Sequence, residues 1–169
     1  YTLHTLFPYT TLFRSRKTYK DREFSPGERD PHIWLSPKRV KIMINSIKNE
    51  LSALDPTNKA TYEKNASEYI NKLDKADTNI KSSLQNLKTK AIIVYHPAFG
   101  YFTDDYGLEM IALEKEGKES TPQDMQKIID FAKSKEVKTI FYQAETDSKQ
   151  AKTFATEIGG KRSEEDTSE

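Results

Sequence analysis

Cysteine is absent from this 169-residue chain, which excludes disulfides and thiolate metal ligands. A strong excess of one charge is also absent: 27 basic and 26 acidic residues give a net charge of +1. No basic stripe of the kind that binds nucleic acid is present, so a nucleic-acid partner is not expected. The longest apolar runs are short, which argues against a membrane-spanning helix. No signal peptide or lipid-attachment cysteine is visible.

The composition is polar for a globular protein, with 35% hydrophobic and 31% charged residues. Apolar residues nevertheless recur with regular periods through the middle of the chain, which argues against disorder there. The length allows one medium domain or two small ones.

The two ends differ in composition from the middle. Residues 1–15, YTLHTLFPYTTLFRS, resemble a translated sequencing adapter, and residues 162–169 resemble its counterpart from the opposite end. Both are expected to be foreign to a natural protein that is truncated on both sides, and both are left out of the fold prediction. The alternative is a pair of genuine but disordered termini. His4 lies in the first segment and is given no functional role.

Residues 16–54 are predicted to contain a charged loop followed by a helix. Ser36-Pro37 is typical of a helix start, with Ser as the N-cap and Pro at the first helical position. Apolar residues then recur every three or four positions as far as Leu54, and Asp55-Pro56 ends the helix.

Residues 55–89 are predicted to form one long helix. Apolar residues step by three or four from Tyr62 to Leu87, and neither Gly nor Pro interrupts residues 57–90. A helix over most of this stretch is ~40–45 Å long, more than twice the mean helix length. It is interpreted either as a coiled-coil or bundle helix, or as a rigid connection between two lobes.

Residues 90–161 are predicted to alternate between strands and helices. The expected strands are Ala91–Tyr95, Leu108–Leu113 and Val137–Tyr142, and the expected helices are Pro97–Tyr106, a capped helix starting at Thr121-Pro122, and a last helix stopping at Gly159-Gly160. This alternation predicts a parallel α/β lobe.

Two histidines stand at predicted element boundaries. His32 lies in DPHIWLSP before a helix, and His96 follows a buried strand in YHPAFGYF. Ligands of open parallel sheets bind beyond the carboxyl ends of the strands, which is the position of His96. Imidazole is the commonest metal ligand and suits zinc, so the pair predicts a metal site assembled by the fold. The alternatives are a His96 that only hydrogen-bonds a helix start, and a His32 in a loop anchored by Trp34 and Leu35.

The acidic residues near these positions are interpreted mainly as surface residues. Asp104-Asp105 is expected to be a solvated helix end. Glu145 and Asp147 follow the third strand, where one of them could approach His96. Three glutamates of one loop are predicted to be surface residues rather than ligands, with a hinge or a place near a cleft as the alternative: Glu114, Glu116 and Glu119. No phosphate-binding, nucleophile-elbow or H-E-x-x-H motif is present.

These motifs together resemble the metal-binding (cluster A-I) solute-binding proteins of bacterial ABC transporters, and the zinc-type branch best. The similar segments, between about Asp30 and Lys161, are DPHIWLSP, NASEYINKL, YHPAFGYFTDDYGLE, STPQDMQKIIDFAK and IFYQAETDSKQAKTFATEIGGK. The resemblance implies two α/β lobes joined by a rigid helix, with metal in the cleft between them. The carboxy-terminal lobe is then the parallel sheet flanked by helices, and most of the amino-terminal lobe is missing.

The resemblance also implies that His32 and His96 are metal ligands. Manganese-preferring relatives carry a carboxylate at the position of His96, so a histidine there points to zinc. The family's first and last ligands lie outside the similar part, and Gln143 stands where many relatives carry Glu. The chain then supplies two of about four ligands, and it is expected to bind zinc poorly by itself.

The function implied is that of a receptor and not of an enzyme. It captures Zn²⁺ outside the cytoplasm, in the periplasm or lipid-anchored at the outer face of the cell membrane, for delivery to an ABC permease, and is expected to be a monomer. The alternatives are a manganese or other divalent-metal receptor or adhesin-like lipoprotein of the same fold, a metal-dependent hydrolase, and a structural helical module around residues 57–88.

Overall fold

A computed structural model of the chain describes residues 30–114, 117–143 and 149–165. The described residues form two compact units, the first running to Leu87 and the second starting at Lys88. None of the helices in these ranges is both long and apolar enough to cross a membrane.

The first unit is helical throughout its described part. A short 3-10 turn at Ile33–Leu35 precedes helix α1 (Pro37–Leu54), and a second at Pro56–Asn58 leads into helix α2 (Lys59–Leu84). The 26 residues of α2 extend over about 39 Å. Both helices lie within the ranges predicted from apolar periodicity, which confirms that part of the sequence analysis.

Helices α1 and α2 pack against each other and are joined by polar contacts. The Lys41 ammonium forms an ion pair with Asp74 at 2.5 Å. At the junction, the Asp55 carboxylate accepts hydrogen bonds from the Asn58 amide at 2.7 Å and from the Tyr62 hydroxyl at 2.9 Å. Asp55 thus ends α1, as Asp55-Pro56 predicted, and its side chain holds Asn58 and Tyr62 at the start of α2 without capping a backbone N–H.

The second unit is a parallel sheet with helices between its strands. In chain order the elements are β1 (Ala91–Val94), α3 (Gly100–Tyr106), β2 (Glu109–Ala112), α4 (Pro122–Ser134), β3 (Thr139–Gln143), α5 (Lys149–Glu157) and β4 (Lys161–Glu165). Within the described residues the strand order is β2-β1-β3-β4, and each neighbouring pair is parallel. The predicted parallel α/β lobe is therefore confirmed.

The core of the second unit is one apolar cluster formed by strands and helices. Its strand residues include Ile93 and Ile140, and its helix residues include Ile129 and Phe154. Ile93, Ile140 and Phe154 have no solvent exposure. Burial of such a side chain stabilises a fold by about 1.5–3 kcal/mol, so this cluster is the main support of the sheet.

The cap of α4 and the end of α3 lie where the sequence predicts them, and the start of α3 does not. The Thr121 hydroxyl accepts a hydrogen bond from the backbone N–H of Asp124 at 3.2 Å and caps α4. Helix α3 ends at Gly107, whose φ of 68° lies in the left-handed region that glycine adopts without strain. Helix α3 begins at Gly100, three residues later than the predicted start at Pro97, because the chain first turns with an Ala98 N–H to His96 carbonyl hydrogen bond.

Strand β4 is the main element that the sequence analysis left out. The sequence predicts that residues 162–169 are foreign to the fold, whereas Lys161–Glu165 pairs in parallel with β3. The segment has no apolar alternation to mark it as a strand. An edge strand needs only backbone pairing on one side and tolerates charged side chains, so its sequence carries little signal.

Candidate metal site

His32 lies in the first unit, directly before the turn Ile33–Leu35. Its ring Nδ1 is 2.7 Å from Oδ1 of Asp30, and the same oxygen accepts a hydrogen bond from the backbone N–H of His32 at 3.0 Å. The Asp30 side chain is 3% exposed and the His32 side chain 15%. One buried carboxylate oxygen therefore holds both the ring and the backbone of His32.

The residues around His32 explain how this segment is held. The Ile33 N–H donates to the Pro31 carbonyl at 2.7 Å, which closes a tight turn at the histidine. Ile33 is buried, whereas Trp34 is exposed, with its ring centroid 5.5 Å from that of His32. The apolar anchor of the segment is thus Ile33, and the exposure of Trp34 argues against the alternative in which Trp34 anchors the loop.

His96 lies in the second unit, two positions after the end of β1. Its ring Nδ1 is 3.1 Å from both carboxylate oxygens of Glu114. The side chain of His96 is 33% exposed and that of Glu114 is 15% exposed. His96 is therefore paired with a carboxylate through the same ring nitrogen as His32.

The sheet itself brings Glu114 to His96. The pairing of β1 with β2 continues past the strand ends, because Leu113 N–H donates to Val94 at 2.9 Å and Glu114 N–H donates to Tyr95 at 2.9 Å. The backbone N–H of Gly117 also donates to Glu114 Oε1 at 3.0 Å. Glu114 and His96 consequently lie together at the carboxyl ends of neighbouring parallel strands.

The pairing of Glu114 corrects the sequence analysis, which treated this residue as a surface glutamate. Glu114 directly follows the predicted strand Leu108–Leu113, so the strand-end rule that singled out His96 applies equally to Glu114. Glu119 is exposed, as predicted. Glu116, Glu145 and Asp147 lie outside the described residues.

The geometry gives each unit one histidine–carboxylate pair. Within residues 30–114, 117–143 and 149–165, no group of three or more His, Asp or Glu side chains is arranged to hold a metal ion. Imidazole nitrogen is a donor that zinc accepts well. Each pair can thus contribute one nitrogen ligand to a site that needs further donors.

Comparison with known proteins decides the family. The family described as ZnuA, zinc-uptake complex component A, periplasmic, matches residues 8–169. The chain belongs to this family. This family is one of metal-uptake components and not of enzymes, which confirms the predicted zinc-type branch and the prediction of a non-enzymatic protein.

Two curated relatives of the chain are a zinc uptake protein and a zinc-binding lipoprotein. The chain is 36% identical over 134 residues to the high-affinity zinc uptake system protein ZnuA of Bacillus subtilis, an alignment covering 78% of the chain and 42% of that relative. It is 33% identical over 136 residues to the zinc-binding lipoprotein AdcA of Streptococcus pneumoniae, covering 79% and 27%. The chain therefore spans less than half the length of these relatives.

A solved structure of the family has the same fold. The chain matches a crystal structure of a ZnuA deletion mutant with zinc bound at a TM-score of 0.75 and 34% identity, over 86% of this chain and 58% of that one. The predicted α/β fold class, that of the two-lobed solute-binding proteins, is confirmed. The roles of His32 and His96 as ligands, and of α2 as a connection between lobes, stay predictions.

Proposed function

We propose that this chain is part of the extracytoplasmic zinc receptor of an ABC importer, with His32 and His96 as two of its zinc ligands. The observation that carries the proposal is the pairing of each of these two histidines with a carboxylate. Each is partly exposed, His32 at 15% and His96 at 33% of its side chain, and each pairs through Nδ1 with a carboxylate, Asp30 or Glu114. That the chain belongs to a zinc-uptake family supports zinc as the cargo.

The proposed chemistry is reversible capture of the ion. Zinc favours tetrahedral sites with nitrogen, sulfur and carboxylate donors, and the chain has no cysteine. Two neutral imidazoles supply two of about four positions. We propose that the ion is held in the cleft between the two lobes of the family fold, with one of these ligands from each lobe.

The proposed setting is the outer side of the cytoplasmic membrane. The family description is periplasmic, and AdcA is named a lipoprotein. A receptor there hands its ion to the permease of an ABC transporter and acts as a monomer. A manganese receptor is the second candidate, but a histidine rather than a carboxylate at position 96 favours zinc.

The proposal is tested by zinc titration of the full-length protein against a chelating dye. A structural four-ligand zinc site is worth ~10–16 kcal/mol, so the loss of one ligand is expected to weaken binding by about 100-fold or more. His32→Ala and His96→Ala should each show this loss. Asn79→Ala, at an exposed position on α2, is the control and should bind as the wild type does.

Unchanged zinc affinity in both histidine variants contradicts the ligand assignment. Tighter binding of Mn²⁺ than of Zn²⁺ by the wild type supports the manganese receptor instead. Ester or phosphate hydrolysis that depends on His96 supports the hydrolase alternative.

A further inference from the structure

We infer that Asp30 and Glu114 are positioning residues that keep His32 and His96 protonated on Nδ1, so that each ring presents Nε2 to the metal ion. The inference rests on the proposed function for the identity of the ion. It adds two acidic residues that neither touch the ion nor belong to the predicted ligand set.

The tautomer follows from the acceptor chemistry of a carboxylate. An ionised carboxylate has no proton to donate, so the ring nitrogen facing it must carry the hydrogen. Nδ1 of His32 faces Asp30 at 2.7 Å, and Nδ1 of His96 faces both oxygens of Glu114 at 3.1 Å. A neutral imidazole holds one hydrogen, so its metal-binding lone pair is then on Nε2.

The Asp30 pair is built locally. Its Oδ1 also accepts the backbone N–H of His32, so carboxylate, backbone and ring form one closed arrangement. A buried carboxylate is costly unless it is hydrogen-bonded, and these two contacts supply partners for the 3% exposed Asp30 side chain. The ring of His32 is therefore tied to the backbone that carries it.

The Glu114 pair is built by the fold of the second unit. Glu114 N–H donates to the carbonyl of Tyr95, the residue before His96, so the two side chains leave adjacent points of one sheet. Gly117 N–H holds the carboxylate itself at 3.0 Å. The loop end is secured by the Gln150 side chain, which accepts from Ser120 N–H at 3.1 Å and donates to Ser120 carbonyl at 2.8 Å.

Such carboxylate partners are expected to matter for affinity. A carboxylate on the far nitrogen of a metal-binding histidine orients the ring, selects the tautomer and raises the basicity of the ligating nitrogen. Removal of this kind of partner typically weakens metal binding by ~10–100-fold. A glutamate on the surface of the same loop has no such role.

The first test is the tautomer of His96 without metal, measured by long-range ¹H–¹⁵N NMR on the natural protein at pH 8. The wild type and Glu114→Gln, which keeps an acceptor oxygen, are expected to show the Nδ1-protonated form. Glu114→Ala is expected to lose that preference and to populate the Nε2-protonated form. Glu119→Gln, at an exposed position of the same loop, is the matched control and should match the wild type.

The second test is zinc affinity in the same variants. Glu114→Ala should weaken binding by ~10–100-fold, and Glu114→Gln should fall between it and the wild type. Asp30→Asn, which also keeps an acceptor oxygen for His32, should weaken binding by less than about 10-fold. A zinc affinity that falls from the wild type to Glu114→Gln and falls further in Glu114→Ala is the signature of positioning through a hydrogen bond.

The two proposals fail in different ways. A wild-type His96 protonated on Nε2, or a Glu114→Ala variant with an unchanged tautomer, overturns the positioning role even if zinc binds through His96. Unchanged affinity in His96→Ala overturns the ligand role even if the tautomer depends on Glu114.

Discussion

The two histidine–carboxylate pairs have the same chemistry and are built at very different ranges along the chain. Asp30 and His32 are two residues apart, whereas Glu114 and His96 are 18 residues apart. The first pair needs one tight turn. The second needs β1 and β2 to pair in one register, and so depends on the packing that holds the sheet.

The two units also differ in how fully they bury their apolar side chains. Helix α1 buries no residue fully, and four of its apolar side chains are exposed: Ile42, Ile47, Leu51 and Leu54. The second unit instead encloses a continuous core around its strands. Damage to that core should therefore reach the Glu114–His96 pair, while changes at these four exposed positions of α1 should leave both pairs as they are.

The largest expected effect comes from removing a side chain of this core. Phe154→Ala deletes a ring with no solvent exposure and should destabilise the second unit by about 3–5 kcal/mol. Leu54→Ala, at a 64% exposed position of α1, is the control and should change stability by about 0.5 kcal/mol or less. Urea unfolding measures both.

The comparison between the units is wrong if the two variants lose similar stability. It is sharpened if Phe154→Ala, in the folded protein, broadens the ring signals of His96 and leaves those of His32 unchanged.

A smaller effect is expected at the helix starts, where the units also differ. Helix α4 has a side-chain cap from Thr121, whereas α1 and α2 begin without a capping hydrogen bond from the side chain of the N-cap residue. Thr121→Ala should cost about 1 kcal/mol, because the N–H of Asp124 loses its acceptor. Thr121→Ser keeps the hydroxyl and should lose much less in the same urea experiment. An equal loss in both variants would show that the methyl group, rather than the cap, stabilises this helix.

The sequence predicts best the features that depend on neighbouring residues. The periods of α1 and α2, the Thr121 cap and the stop of α3 at Gly107 are all local, and the structure confirms them. His32 and His96 stand out because their motifs are contiguous. The Asp30–His32 pair was within reach of the same reasoning, since its two members lie in one motif.

The Glu114–His96 pair and β4 were harder to predict because each depends on strand register. The partner of His96 is known only once β1 and β2 are aligned, which one sequence does not specify. Strand β4 lacks an apolar period, and its place is set by backbone pairing with β3. The ligand roles of the two histidines stay predictions. A zinc site needs further donors, and the described residues contain no group of three or more side chains arranged to hold a metal ion.

The smallest expected effect is a pH dependence of stability at the junction of α1 and α2, where polar side chains contact one another. Hydrogen bonds from the side chains of Asn58 and then Tyr62 lower the pKa of Asp55 below its ordinary 3.8. The hydrogen bond to Asp55 raises the pKa of Tyr62 above its ordinary 10.0. The contact therefore stabilises the fold fully between these ordinary values, and it is lost as pH falls through the lowered pKa or rises through the raised one. Tyr62→Phe should lower stability at pH 7 and lose that difference in acid once the Asp55 carboxylate is protonated, measured by urea unfolding from pH 7 downward. Tyr69→Phe, at an exposed position of α2, is the control, and a stability difference for Tyr62→Phe that is the same at pH 7 and in acid would show that the hydroxyl acts independently of the Asp55 charge.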